Sequence, residues 1–547
     1  MKKQSIKNWF TKVFIRDIDL PRSTLIYLFF SLLAITLVAE AFLFKYTLLT
    51  SGVLIVGIEV YILLITLALS FLLSGILVDK VKNRTIYFNL TLLVCIIGLY
   101  ISAIPNDFFY YLGLLIVLLT IPQLITLWFT ILVHETNILN RGRITTYLLI
   151  LCFSLGYISI VFVIFENLYV YFSLLESGIF VIIFLNSRKY EYIETQDRLK
   201  SDKTYKNIVF EKHFFRYATS FTILSFILGN LIATYSFEVD LLIFAFASFL
   251  YLMVAGLFLD NVGRKISIVL GILVLSFFLI SYGSFIDSSY IFGIPRKIFL
   301  SIHYGFSILP LLLAIFTLSG DFSTERGNLK YRGRINGLFM SLMLAGAILG
   351  FTFSRFINDL YVTYPNLNNF IPNFPDLLNA FILVILLVWM MSMKEFLVSK
   401  EKKWANTLKT LFIFNKSGVC LYTHDFTPKE LVDKSNEEDQ IDEDLISGAL
   451  SGILTIISEI THSKKQLRKI DKEGVNLLFT YGKYHITTLI SVMELPVLFK
   501  KLDEFSKEFE HKFTKELKNF QGNVNRFIST KQIIKKYFRQ KDKESLE

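Results

Sequence analysis

Gly75-Ile-Leu-Val-Asp79-Lys-Val-Lys-Asn-Arg84 and Gly256-Leu-Phe-Leu-Asp260-Asn-Val-Gly263-Arg264-Lys265 are two versions of one pattern. Each has a glycine, a carboxylate four positions later and a basic cluster, and each closes a long apolar segment. A second pair accompanies the first in the same order. Arg141-Gly142-Arg143-Ile-Thr-Thr and Arg332-Gly333-Arg334-Ile-Asn-Gly each stand just before another apolar run. Two matched pairs separated by a polar break at 187–213 read as a parallel duplication. Each half then places a carboxylate and a basic cluster where a helix leaves the bilayer, which equips the halves to rock against each other.

Composition places the chain in a membrane. Of 547 residues, 54% are hydrophobic, 16% aromatic and only 18% charged, too apolar for a soluble domain. Apolar runs long enough to cross about 30 Å of hydrocarbon as helices recur near 24–44, 53–78, 85–104, 108–133, 144–165, 168–186, 214–236, 239–259, 264–285, 296–318, 334–357 and 376–393. The close pair 85–104 and 108–133 depends on Pro105-Asn106-Asp107 making a turn. Lys and Arg are retained on the cytoplasmic side. On alternate connections they gather in the N-terminal arm, at Lys80 to Arg84, at Arg141 and Arg143, at 188–216, at Arg264 and Lys265, and at 326–334. Both termini are therefore expected in the cytoplasm, with the chain in the cell membrane as a multi-pass protein. The net charge of +11 follows from this rule together with attraction to anionic lipid, and requires no nucleic acid. The first apolar run has no small-residue cleavage pattern and reads as a retained helix. Cys95, Cys152 and Cys420 have neither paired spacing nor accompanying His ligands, so no disulfide, metal or cofactor is expected.

The segment Gly256 to Lys265 resembles the loop motif of the major facilitator superfamily, and Gly75 to Arg84 resembles a weaker copy without the second glycine. The resemblance covers about residues 20–395. It implies an all-α polytopic bundle of twelve helices: an arm (1–22), a six-helix half (23–186), a cytoplasmic linker (187–213) and a second six-helix half (214–395). It also implies a solute site near the midplane, between the halves. In such transporters the loop after the second helix contacts the start of the eleventh, and by symmetry the loop after the eighth contacts the start of the fifth. That sets Asp79 against Arg334 and Asp260 against Arg143, with Gly75, Arg84, Gly256, Gly263, Arg264 and Lys265 completing a gating motif. A carboxylate at a helix N-terminus is stabilised by about 0.3–1 kcal/mol when exposed and up to ~2 when partly buried. The first, fourth, seventh and tenth helices of this superfamily line the cavity, and here they carry Glu40, Gln123, Asn230 and His303. The fifth helix lacks the glycine- and proline-rich motif of proton-coupled drug antiporters, which disfavours multidrug efflux. With no deep charged cluster, a small, neutral or singly charged, partly apolar solute is expected, with proton coupling through Glu40 an open option.

After Lys394 the composition becomes charged and periodic. Residues 407–414 and 419–424 flank Asn415-Lys-Ser-Gly418, a hairpin signal. An acidic linker leads to a helix with apolar Leu445, Ile446, Ala449, Ile453, Ile456 and Ile460. Strand-like runs near 467–471, 475–481 and 484–493 follow, then an amphipathic helix opened by Pro496 and a last helix over 524–538. The order strand, strand, helix, three strands, helix, helix resembles the longin and roadblock group of profilin-like domains, over 405–540. The resemblance implies a soluble α+β regulatory domain whose partners include small GTPases or a second copy of itself. His424, His462, His485 and His511 show no catalytic constellation, and no phosphate-binding glycine loop is present. The expectation is a secondary transporter and not an enzyme. The rival is a non-transporting receptor or scaffold that anchors the longin-like domain.

Overall fold

The computed structural model describes residues 20–49, 58–136, 138–161, 168–187, 204–235, 240–284, 289–324, 331–364, 374–393, 404–426, 443–460, 467–472, 475–493 and 495–538. The chain divides into two compact units, 1–398 and 399–547.

The first unit is built from long helices: α1 Arg22–Leu49, α2 Ile58–Lys80, α3 Arg84–Ser102, α4 Asp107–Glu135, α5 Arg141–Val161, α6 Leu168–Ser187, α7 Lys212–Tyr235, α8 Leu241–Asn261, α9 Arg264–Ser284, α10 Arg296–Thr324, α11 Arg332–Thr363 and α12 Phe374–Met391. Among the described residues six helices are long and apolar enough to cross a membrane, those within α1, α2, α3, α4, α8 and α11. Their outer faces carry large apolar side chains in rows, such as Ile62, Leu69 and Leu73 on α2 and Leu90, Val94 and Ile97 on α3. Rows of this kind fit a hydrocarbon surround.

Short polar signals set the connections. The Asn83 side chain accepts a hydrogen bond from the Ile86 amide at 3.0 Å and starts α3. The Asn106 side chain accepts from the Phe108 amide at 2.9 Å and starts α4, so the turn expected at 105–107 is built on an N-cap. Between α9 and α10 lies a two-residue hairpin, β1 Tyr290–Ile291 and β2 Ile294–Pro295. Its turn residues Phe292 and Gly293 both have positive φ, 52° and 77°, the conformation that suits the twist of a tight hairpin.

The two halves expected from the sequence correspond to α1–α6 and α7–α12. Across α1, α3, α4 and α6 run hydrogen bonds from Trp128 Nε1 to the Leu28 carbonyl (2.9 Å), from Asn186 Nδ2 to the Ser23 carbonyl (2.9 Å) and from Asn89 Nδ2 to Ser187 Oγ (3.1 Å). In the second half α7 and α11 cross with their backbones nearly touching. A Cβ placed on Gly350 would lie 1.8 Å from the Phe226 carbonyl oxygen, and one on Gly346 2.3 Å from that of Thr222. The halves meet chiefly through α2 against α11 and α5 against α8.

The second unit contains a five-stranded antiparallel sheet: β3 Leu408–Asn415, β4 Cys420–Asp425, β5 Lys469–Lys472, β6 Val475–Tyr481 and β7 His485–Ser491, in the order β4-β3-β7-β6-β5. Its helices are α13 Glu443–Ile460, α14 Pro496–Lys512, α15 Thr514–Lys518 and α16 Thr530–Tyr537. Strand alternation assigns the faces. Phe412, Phe414, Phe479 and Ile486 pack with Leu450 of α13 on one face. On the other, His485 Nε2 lies 3.0 Å from Ser506 Oγ of α14, so Thr487 and Leu489 share the α14 face. The last expected helix is interrupted: a 3₁₀ turn, Val524–Phe527, precedes α16.

Candidate functional site

An α-helix leaves its first amides without partners inside the helix. At α11 the N-cap residue Tyr331 offers no side-chain bond. The missing acceptor comes from the other half: Asp79, at the end of α2 and 5% exposed, accepts from the amides of Gly333 (2.7 Å) and Arg334 (3.1 Å). Arg334 Nε is 3.8 Å from the same carboxylate. The second copy repeats this. Asp260, at the end of α8 and 1% exposed, accepts from the amides of Gly142 and Arg143 at the start of α5, each at 2.9 Å.

The glycines follow from the geometry. A Cβ on Gly142 would lie 2.6 Å from Asp260 Oδ1, and one on Gly333 2.7 Å from Asp79 Oδ1. On the facing helices, a Cβ on Gly75 would meet the Gly333 carbonyl oxygen at 2.8 Å, and one on Gly256 would meet Thr146 Oγ1 at 2.4 Å. Gly263 has φ +132°, open to glycine far more than to other residues. The spacing of glycine, aspartate and glycine is thus what lets a carboxylate of one half reach a helix start of the other.

The two copies differ in depth of charge. Asp260 also accepts from Arg143 Nε (3.2 Å) and from an Arg264 terminal nitrogen (2.9 Å). Arg264 continues to Asp321 Oδ2 (2.8 Å) and to the Ile138 carbonyl (2.7 Å), and Arg141 pairs with the other Asp321 oxygen. Arg141, Arg264, Asp260 and Asp321 are each at most 1% exposed. Sequence reading missed Asp321 because the apolar run of α10 ends near 318, while the helix continues to Thr324. The visible signal was an acid on the basic side, beside Gly320. Lys265 takes a different role from its neighbours: its Nζ donates to the carbonyls of Met391 and Met393 (2.7 Å each), capping the end of α12. Arg84 is buried beside the first copy, at 2% exposed. Within the linker a short helix, Tyr205–Val209, sets the Tyr205 hydroxyl on the Leu72 carbonyl, directly over Gly75.

Three of the residues expected to line a cavity have neighbours on adjoining helices. Gln123 Oε1 accepts from the Tyr87 hydroxyl (2.8 Å), joining α4 to α3. Asn230 Nδ2 donates to Asn379 Oδ1 (3.0 Å), joining α7 to α12. His303 lies against Phe299, ring centroids 4.0 Å apart, and near Phe277 of α9. Glu40 is on α1, but its side chain lies outside the described residues. Another carboxyl stands out: Glu176 of α6, for which the sequence suggested a structural or interfacial role, is fully buried, and neither of its oxygens has a hydrogen-bond partner among the described residues. No group of His, Cys, Asp and Glu suited to a metal occurs among the described residues.

In the second unit His485 does have a hydroxyl neighbour, Ser506, contrary to the expectation that no nucleophile lies near it. Both are buried, His485 completely and Ser506 to 2% exposed, so no substrate reaches them and the pair belongs to the core. Burial pushes the His485 imidazole down to about 4.

No protein-family model matches the sequence, and no curated protein matches it. Solved structures do. The major facilitator superfamily proton:xylose symporter XylE, bound to 6-bromo-6-deoxy-D-glucose, aligns with a TM-score of 0.50 at 12% identity, over 70% of this chain and 97% of that one. The major facilitator superfamily transporter FucP, in the outward conformation, aligns with a TM-score of 0.46 at 12% identity, over 68% of this chain and 98% of that one. At this identity the likeness is one of fold: the chain has a fold like that of the major facilitator superfamily.

Proposed function

We propose that the chain is a secondary active transporter that moves a small neutral or singly charged, partly apolar solute by alternating access between two six-helix halves. The observation that carries this reading is the reciprocal pair of caps, Asp79 of the first half on α11 of the second and Asp260 of the second half on α5 of the first. Such caps hold one end of the bundle shut without covalent or permanent packing. They come apart by exchanging a few hydrogen bonds for water. On the positive-inside rule the closed end is cytoplasmic, all twelve long helices cross the cell membrane, and the described arrangement is the outward-facing one. Gly75, Arg84, Gly256, Gly263, Arg264, Lys265, Arg143 and Arg334 belong to this gate. The sheet order of the second unit agrees with a longin-like domain, whose role here is regulatory, through a small GTPase or a second copy.

One observation favours the second reading, a membrane receptor or scaffold without net flux: Gln123 Oε1 and Asn230 Nδ2 are hydrogen-bonded to neighbouring helices. A thermal-shift screen of the purified protein against small metabolites at two pH values, followed by flux of any hit in proteoliposomes, separates the two. A stabilising solute that is carried across the bilayer supports transport. A solute that stabilises without flux, or stabilisation only by a GTPase, supports the scaffold.

A further inference from the structure

The last stretch of the second unit, 514–538, is sided in an unusual way. Phe527, Thr530, Ile533, Ile534 and Phe538 point into the core, where Phe527 packs on Phe509, Phe513 and Phe520. Val524 in the 3₁₀ turn, Ile528 in the turn after it, and Lys531 and Lys535 of α16 are exposed and follow one another at intervals of four, three and four residues. Val524 is 41% and Ile528 64% exposed, although both stand close in sequence to the fully buried Phe527. Lys518 and Arg526 of the same stretch are exposed as well. The stretch contains six basic residues and one acidic residue, Glu516. Lys536 is already neutralised by Glu508 at 2.6 Å.

Two exposed branched apolar side chains in a stretch of exposed basic residues suit a surface that is negatively charged outside and apolar just beneath. We propose that this stretch, through Val524 and Ile528 together with Lys518, Arg526, Lys531 and Lys535, docks the second unit on an anionic phospholipid bilayer. Lysines and arginines supply attraction to the lipid phosphates, and the two apolar tips enter the acyl boundary. An acidic peptide would satisfy the basic residues but leave Val524 and Ile528 without a counterpart. The inference does not depend on transport and holds equally for a scaffold.

The test uses the full chain in nanodiscs, with Ile528→Cys labelled by a polarity-sensitive fluorophore. Labelling is selective because Cys95, Cys152 and Cys420 are buried. Emission should shift to the blue when the disc lipid changes from phosphatidylcholine to a mixture with phosphatidylglycerol, and the shift should fade in high salt. Each basic residue near an anionic surface changes partitioning about fivefold, so Lys531→Gln with Lys535→Gln should weaken docking about 25-fold. Equal emission in both lipids would overturn the proposal. So would a shift already present in neutral lipid that grows with protein concentration, which would indicate a second copy. A shift in neutral lipid abolished by Glu437→Gln, Glu438→Gln and Asp439→Asn would also overturn it, and would assign the face to the chain's own acidic segment.

Discussion

Asp260 and Asp79 occupy matching positions, yet their surroundings predict different sensitivities. Asp260 accepts four bonds and shares Arg264 with Asp321 in a nearly dry cluster, whereas Asp79 accepts from two amides, with Arg334 at 3.8 Å and the charge of Arg84 nearby. Removing one partner of a buried pair costs about 3–5 kcal/mol, and losing a cap costs about 0.5–2 kcal/mol. Asp260→Asn should therefore lower the melting temperature more than Asp79→Asn, and equal losses would refute this ranking. Glu176 carries the opposite expectation. A buried carboxyl without a partner costs about 1–3 kcal/mol in desolvation, so Glu176→Leu should raise the melting temperature. Gain of stability with loss of flux would mark Glu176 as a working carboxyl. In the second unit His485 links stability to pH. Its folded form is held near 4 by burial, while an unfolded histidine titrates near 6.5. The unfolded chain thus binds the extra proton between these values, and stability present above about pH 6.5 falls as the pH drops toward 4, by about 3 kcal/mol in all. Denaturant unfolding followed at Trp404, which packs on Phe538, with the other tryptophans replaced, should show this slope and should lose it in His485→Gln.

The helices were the most legible level, because the apolar runs are bounded by charge or by an asparagine cap, and the described part of each run falls largely on a helix, while 53–57 and 162–165 lie outside the described residues. The strands of the second unit were legible from alternation around Asn415-Lys-Ser-Gly418, and they lie within two residues of the expected runs. Local chemistry hid the rest. The Phe292-Gly293 turn places a phenylalanine at positive φ, which no turn statistic suggests. The helix at Tyr205 is only five residues long and is held by contact with α2. Element packing also makes glycine substitutions unequal. In Gly350→Ala the new methyl meets a backbone oxygen at 1.8 Å, and backbone cannot turn aside as a side chain can. Overpacking of this kind costs about 1–3 kcal/mol or more. Gly178→Ala, with nothing within 4 Å, should instead stabilise α6 by about 0.5–1 kcal/mol. Paired melting curves check both signs.

At the scale of the whole molecule, duplication made the architecture readable, since two copies of a motif constrain topology more than either does alone. The contacts of Asp79 with α11 and of Asp260 with α5 were readable for the same reason: glycine, aspartate and arginine stand at fixed offsets in both copies. Side-chain roles inside the helices were less readable. Gln123, Asn230 and His303 were expected to line a cavity, and a polar group in an apolar helix serves helix packing as readily as ligand binding; here each has a neighbouring helix or ring in contact. The central claim, that the halves part at the caps, is tested most directly by measuring the spin-label distance between Lys80→Cys and Asn261→Cys, which stand exposed at the ends of α2 and α8 in opposite halves. The account predicts one short distance in the intact protein and a second, longer population when Asp79→Asn and Asp260→Asn are combined. An unchanged single distance in the double variant would contradict it.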